Sequence, residues 1–279
     1  MSSLIATNIR NIRQIDAPPI EFTSILSIVG DDESDMLDLI ALIDKSPMLT
    51  AKILQCANSA YFGQSGEIDN VREAVIRILG LSITRSITLA FLLNDCVNAD
   101  NVPNFDLYRH WFTAVVTANL AKEMTKHTQY KLNGSTIYTV GLLHNIGILA
   151  LVQAFPEQMN TVFETDEHSV AIKTQKIFRM DHYQAGALLV RSWKLPKTIV
   201  EPIYFLRNIH YNGPSWQAAR LIRLCSKLAT IMFKKNIDTL RSYEAPSELI
   251  SQPYFDKAIF NIEMQLSSLE EFSQIMSRT

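Results

Sequence analysis

Apolar residues recur at three- and four-residue spacing along most of this chain, and the pattern is that of amphipathic helices. Ile20, Ile25, Ile28 and Val29 share one face, and Gly30 ends that segment. Asp31, Asp32, Glu33, Ser34 and Asp35 then open a second helix, where negative charge suits the N-terminal end of the dipole. Its apolar face is Met36, Leu39, Ile40 and Ile43. Ser46-Pro47 is a further start signal, a serine cap followed by proline in the first turn, and predicts a helix to about Ala57. Asn70 with Glu73 predicts a cap for a helix from Val71 to Leu79, closed by Gly80. The next helix starts at Ser82 and runs to about Val97.

Asn98 to Asn104 is polar, contains Pro103 and is the best internal boundary. A long helix from about Phe105 to His127 follows, with Trp111, Phe112, Val115, Val116, Leu120 and Met124 as its apolar set. Ser135 is expected to cap a central helix that Pro156 stops. Shorter helices are predicted at about Pro156–Phe163, Ser169–Phe178, His182–Trp193 and from Leu195-Pro196 to about Leu206. Trp216 to Phe233 is another, and two or three short ones follow Ile237. No run alternates as a strand does. The expectation is an all-α fold, a helical bundle of two packed subdomains (15–100 and 101–230) with a C-terminal helical tail (231–279).

Composition narrows the function classes. The chain has 279 residues, 47% hydrophobic and 19% charged, which is enough apolar content for a sizeable core. Its formal net charge is −2, so a global electrostatic footprint for nucleic acid is absent. Lys234, Lys235, Arg220, Arg223 and Lys227 could form a small basic patch, and a solvated face is the expected reading. Cys56, Cys96 and Cys225 are odd in number and widely spaced, which suits reduced thiols in a cytoplasmic protein. The first fifteen residues hold no continuous apolar stretch, so no signal peptide is expected. Tyr138 to Phe155 approaches the length of a membrane span. His144, Asn145 and Gln153 would be costly in lipid, and a buried core helix is the expected reading.

Candidate chemistry rests on histidines. Cys-x-x-Cys, a glycine-rich phosphate loop and Gly-x-Ser-x-Gly are all missing from the chain. His127, His168 and His210 lie in polar stretches and read as surface residues. His110, His144 and His182 lie in predicted helices among apolar neighbours. The neutral pair His144-Asn145 sits where no charged residue occurs between Lys131 and Glu157. It is either a buried polar element or what remains of a metal site. Asn58-Ser59-Ala60-Tyr61-Phe62-Gly63 has two readings as well. Asn58 and Ser59 could satisfy a helix end while Tyr61 and Phe62 anchor a loop, or the aromatic pair could be a docking surface.

Several stretches, in order, resemble the HDOD family, signalling-associated relatives of the HD-domain metal-dependent phosphohydrolases. They are Ser46 to Leu54 with Asn58 to Gly63, Ile68 to Leu81, Gly141-Leu142-Leu143-His144-Asn145-Ile146-Gly147, and Asp181-His182 with Gly186, Trp193 and Leu195-Pro196. The resemblance covers roughly residues 15–230 and implies that the second subdomain is HD-domain-like. It matches His110, His144 and His182 to histidine ligands of catalytic HD domains. Asn145 stands where the paired aspartate is expected, Arg207 where a later histidine is expected, and Ser226 near the closing aspartate. An amide brings neither negative charge nor a general base. The resemblance therefore implies a degenerate site with no metal or other cofactor, kept as a vestige or as a small-ligand pocket. The function it implies is a non-catalytic regulatory module in bacterial signal transduction, acting on a signalling protein partner or as a homo-oligomer. The alternative is a phosphohydrolase acting on a nucleotide or cyclic dinucleotide.

Overall fold

The computed structural model describes residues 35–63, 66–164 and 169–278. The helix expected over Ile20–Val29, the acidic start at Asp31–Ser34 and His168 lie outside the described residues. Among those described, the chain is all-α and forms no strand.

Local chemistry sets the first elements. Helices α1 (Met36–Ile43) and α2 (Pro47–Ala57) are separated by two residues and a cap: the Ser46 hydroxyl accepts from Leu49 N with Pro47 in the first turn. A short helical turn, Val71–Glu73, capped by the Asn70 side chain, runs straight into a π-helical stretch, Ala74–Leu79. The sequence pattern predicts one regular helix there. Gly80 (φ 73°) then turns the chain by 119° into α3 (Leu81–Asp95), a backbone that glycine adopts without a steric cost.

The core is organised on α4 (Leu107–Thr125). Asp106 caps it through Arg109 N. Twelve of its residues are buried, spread over the whole circumference, as expected of a helix packed on every side. It lies against α5 (Gly134–Leu143), α11 (Trp216–Phe233) and, beyond the short α12 (Ile237–Arg241), the C-terminal α13 (Gln252–Met264) and α14 (Leu266–Ser277). Trp111 Nε1 donates to Asn94 Oδ1 at 2.8 Å, joining α4 to the end of α3 inside the core. Hydrophobic side chains from Leu39 to Met276 form one continuous cluster, so the three sequence stretches share a core.

The central apolar helix differs from expectation in two ways. Asn133, not Ser135, is the cap, accepting from Thr136 N at 2.9 Å. The helix also breaks at His144-Asn145 into α5 and α6 (Ile146–Ala154). Asn145 (φ −106°, ψ 9°) leaves the helical region there, and the break frees two polar side chains to face sideways rather than along a regular face. Gly134–Ala154 is long and apolar enough to cross a membrane, and its most apolar 18-residue window is 83% buried within the fold.

Helices α7 (Pro156–Phe163) and α9 (His182–Ser192) pack on α6, α8 (Val170–Phe178) lies against α7 and α9, and α10 (Lys197–Tyr204) lies against α9 and α5. Asp181 and Gln184 form a capping box at the start of α9. Two glycines fix how close α9 comes to α6. A Cβ on Gly147 would lie 1.9 Å from the His182 carbonyl oxygen and 2.4 Å from Gly186 N. Gly141 serves α5 in the same way, with Ala118 Cα 2.5 Å from where its Cβ would be. These contacts bring His182, His144 and His110 to one place.

Candidate functional site

Four helix ends or turns converge on a cavity of about 450 Å³. Its floor carries His110 from the first turn of α4, His144 and Asn145 from the α5–α6 break, and His182 from the first turn of α9. All four are buried, with exposures of 4%, 2%, 6% and 4%. Ser226, in the middle of α11, closes one wall.

The hydrogen bonds set the state of His144. Its Nδ1 lies 2.6 Å from the Gly141 carbonyl oxygen, which can only accept, so Nδ1 carries the proton. Its Nε2 therefore presents a lone pair, and that lone pair faces the Ser226 hydroxyl at 3.0 Å. Ser226 also interacts with the Tyr183 hydroxyl. Burial pushes the Tyr183 phenol up to about 12, which keeps its proton in place. Tyr183, Ser226, His144 and Gly141 thus form one polar chain across the wall of the cavity.

The other two histidines are less well served. Neither ring nitrogen of His110 has a partner, nor has Nδ1 of His182. Asn145 Nδ2 reaches the His110 carbonyl at 3.4 Å, while its Oδ1 is unpartnered. Burial depresses the basicity of all three imidazoles. His110 falls to about 3, with His144 adding repulsion. His144 falls to about 4, opposed by its bond to Gly141. His182 falls to about 3, with His144, His110 and Arg207 contributing after burial. All three rings are neutral at neutral pH.

Arg207 does not line this cavity. Its Nη1 sits 3.9 Å from Asp181 Oδ2, outside the capping box of α9. Asp181 is the nearest acid in sequence to the cluster, and burial raises its pKa while its backbone hydrogen bonds and Arg207 lower it. Its Oδ1 accepts from Gln184 N at 2.9 Å, so the group is occupied in holding the helix start. Among the described residues, no set of three or more His, Cys, Asp or Glu side chains is placed to hold a metal ion. Three imidazoles can hold zinc, but here His144 Nε2 faces Ser226 and the three rings are not placed to converge on one ion, and the oxygen-preferring cations find no carboxylate beside them. The residues do not fit a hydrolytic metal ion.

The sequence reading does not single out the rim. Arg109, Thr113, Tyr183, Thr230 and Lys234 all line the cavity. The spacing of Arg109 beside His110, and of Ser226, Thr230 and Lys234 at successive turns of α11, carries the signal in retrospect. The other cations of that helix are spent elsewhere. Arg223 donates to the carbonyls of Leu206 and Asn208, Arg220 lies over Trp216 and 3.7 Å from Glu248, and Lys227 lies over Tyr243.

The second candidate motif lies elsewhere. Asn58 holds Ile68 from both sides, accepting from its N–H and donating to its carbonyl, each at 2.8 Å. The Ser59 hydroxyl donates to the Cys56 carbonyl at 2.7 Å. The Tyr61 hydroxyl donates to Asn119 Oδ1 on α4. The Tyr61 and Phe62 rings pack on Phe272 of α14, with centroids 5.4 and 5.8 Å apart.

The model of the HDOD domain family matches residues 15–209. An uncharacterised protein of Treponema pallidum (strain Nichols) is 26% identical over 277 residues. That match covers 98% of this chain and 51% of the relative, so the chain spans about half of its length. A solved structure of an HDOD domain protein with unknown function from Geobacter sulfurreducens superposes with a TM-score of 0.72 at 16% identity, covering 99% of each chain. A candidate phosphohydrolase from Shewanella amazonensis SB2B gives 0.74 at 21% identity, over 96% of this chain and 97% of that one. A candidate signal transduction protein from Marinobacter aquaeolei VT8 gives 0.77 at 21% identity, over 99% of this chain and 66% of that one. At these identities the likeness is one of fold.

Proposed function

This chain belongs to the HDOD domain family, and from that premise we propose that it is a non-catalytic regulatory module of bacterial signal transduction. It works in the cytoplasm by binding a signalling protein, alone or as a homo-oligomer. The observation that carries the reading is the state of His144. Its metal-competent lone pair is taken by Ser226, and the neighbouring position holds the amide Asn145 instead of a carboxylate. A hydrolytic centre needs a bound water made acidic by a cation and a base to take its proton. Neutral imidazoles with basicity depressed to about 3 or 4 are weak bases, and Asn145 is none.

The competing reading is a phosphohydrolase, favoured by the survival of three histidines at one place and by the name of the Shewanella structure. One experiment separates the two. Purified full-length chain is subjected to elemental analysis and assayed for phosphate-ester hydrolysis, with nucleotides and cyclic dinucleotides, in the presence of manganese, iron or zinc. The regulatory reading expects substoichiometric metal and no turnover. Stoichiometric metal together with turnover that disappears in His144→Ala would overturn it.

A further inference from the structure

The cavity above the histidines is too polar on its floor to be filler. Residues that line it carry four buried atoms without partners: both ring nitrogens of His110, Nδ1 of His182 and Oδ1 of Asn145. A buried polar atom left unpaired is costly, and beside a cavity its partner can come from a water or from a bound molecule. Their chemistry constrains that molecule. A neutral imidazole offers one donor and one acceptor, and the amide oxygen only accepts. A hydroxyl group both donates and accepts, so a molecule bearing several hydroxyls meets all four.

The rim has the opposite character. Arg109 and Lys234 line it from α4 and α11. The start of α8, a helix of nine residues, opens on it through Ser169, Val170 and Ala171. A helix N-terminus carries the positive end of the macrodipole and favours an anion. Lys173 also lines the cavity, but its amine donates to the Val162 carbonyl at 2.6 Å, and it is left out of the site. The opposing charge is Asp106, whose Oδ1 is held by Arg109 N at 2.8 Å as the cap of α4. Two cations and a helix start against one engaged carboxylate leave the rim suited to an anionic group.

We propose that this cavity binds a small polyhydroxylated phosphate, such as a sugar phosphate, with hydroxyls on the imidazole–amide floor and the phosphate between Arg109, Lys234 and the start of α8. A volume of about 450 Å³ suits a ligand of that size. The ligand is the input that the regulatory module senses. The assignment depends on the regulatory reading only in that the ligand is held intact.

The test is titration calorimetry on the full chain at low salt and neutral pH, with inorganic phosphate, glycerol 3-phosphate, ribose 5-phosphate and glucose 6-phosphate. At least one of the three organic phosphates is expected to bind saturably, roughly tenfold tighter than inorganic phosphate. Arg109→Gln and Lys234→Gln, both at the rim and checked for folding by circular dichroism, should each weaken it by roughly tenfold, the size of one charge-assisted hydrogen bond. His110→Phe should abolish the preference over inorganic phosphate. Absence of saturable binding by all three, or affinity unchanged in both rim variants, overturns the assignment and leaves the regulatory reading standing. Binding accompanied by release of inorganic phosphate supports the ligand class and overturns the regulatory reading instead.

Discussion

Two polar motifs border the apolar core of this molecule, one half-exposed and one buried, and they are finished differently. Around Asn58–Phe62 the polar groups described above have partners within the chain, and the two rings are covered by Phe272. Around His110–His182 four buried polar atoms, on residues that line a cavity, have none. A motif whose hydrogen bonds close on themselves is explained by the fold it holds. A motif that leaves donors and acceptors open beside a cavity is explained by something that enters. The first motif is accounted for by the architecture it holds, and the second is the one that the proposed recognition uses.

The largest effect is expected where the second motif is assembled. Gly147→Ala would drive a Cβ into the His182 carbonyl and the Gly186 backbone, neither of which is a flexible side-chain end. We expect a cost of about 3 kcal/mol or more, at the upper limit of overpacking effects. The measurement is denaturant unfolding, with a soluble chain of unchanged stability as the contradicting result.

Acid should separate the motifs next. A histidine titrates near 6.5 in the unfolded chain but near 3 or 4 in this fold. The unfolded state therefore binds more protons below pH 6.5. Stability is flat above that value and falls as pH drops through the window from about 6.5 to about 4. Each histidine contributes a slope of up to about 1.4 kcal/mol per pH unit, so three give up to about 4. Thermal melts across that range check it. His110→Phe should make the fall shallower, whereas Tyr61→Phe should leave its slope unchanged.

The same two substitutions sharpen the comparison at pH 7. Tyr61→Phe strips the donor from buried Asn119 Oδ1, and we expect a loss of about 1–3 kcal/mol. His110→Phe removes two nitrogens that have no partners, and in the absence of ligand it should be neutral or stabilising. Equal losses for both would erase the distinction. Ser226→Ala removes the hydrogen bond to His144 and the contact with Tyr183, and chemical denaturation should show a loss of about 1–2 kcal/mol, above that of His110→Phe.

Much of the fold was legible in the sequence because its signals are local. Ser46-Pro47 and Asp181 cap the helices expected of them, and Trp216–Phe233 has its predicted bounds. The π-helical stretch at Ala74–Leu79 and the break at His144-Asn145 were not legible, since apolar periodicity is similar on either side of each. The same holds at the site. The three histidines and Ser226 could be picked out by motif and are brought together. Arg207 is matched by the same resemblance and lies outside the cavity, pointing toward Asp181, because it follows the turn that ends α10. Tyr183 and Lys234 were missed because what they do depends on which helices meet. No local spacing encodes that Ser226 of α11 lies opposite the end of α5.

The proposed role requires that the histidine cluster hold a phosphate ester without hydrolysing it. Phosphate release from ribose 5-phosphate and from a cyclic dinucleotide, measured on the full chain with saturating manganese, tests it. The account predicts a rate equal to that without protein, in wild type and in His144→Ala alike. Release above that rate that is lost in His144→Ala would contradict it.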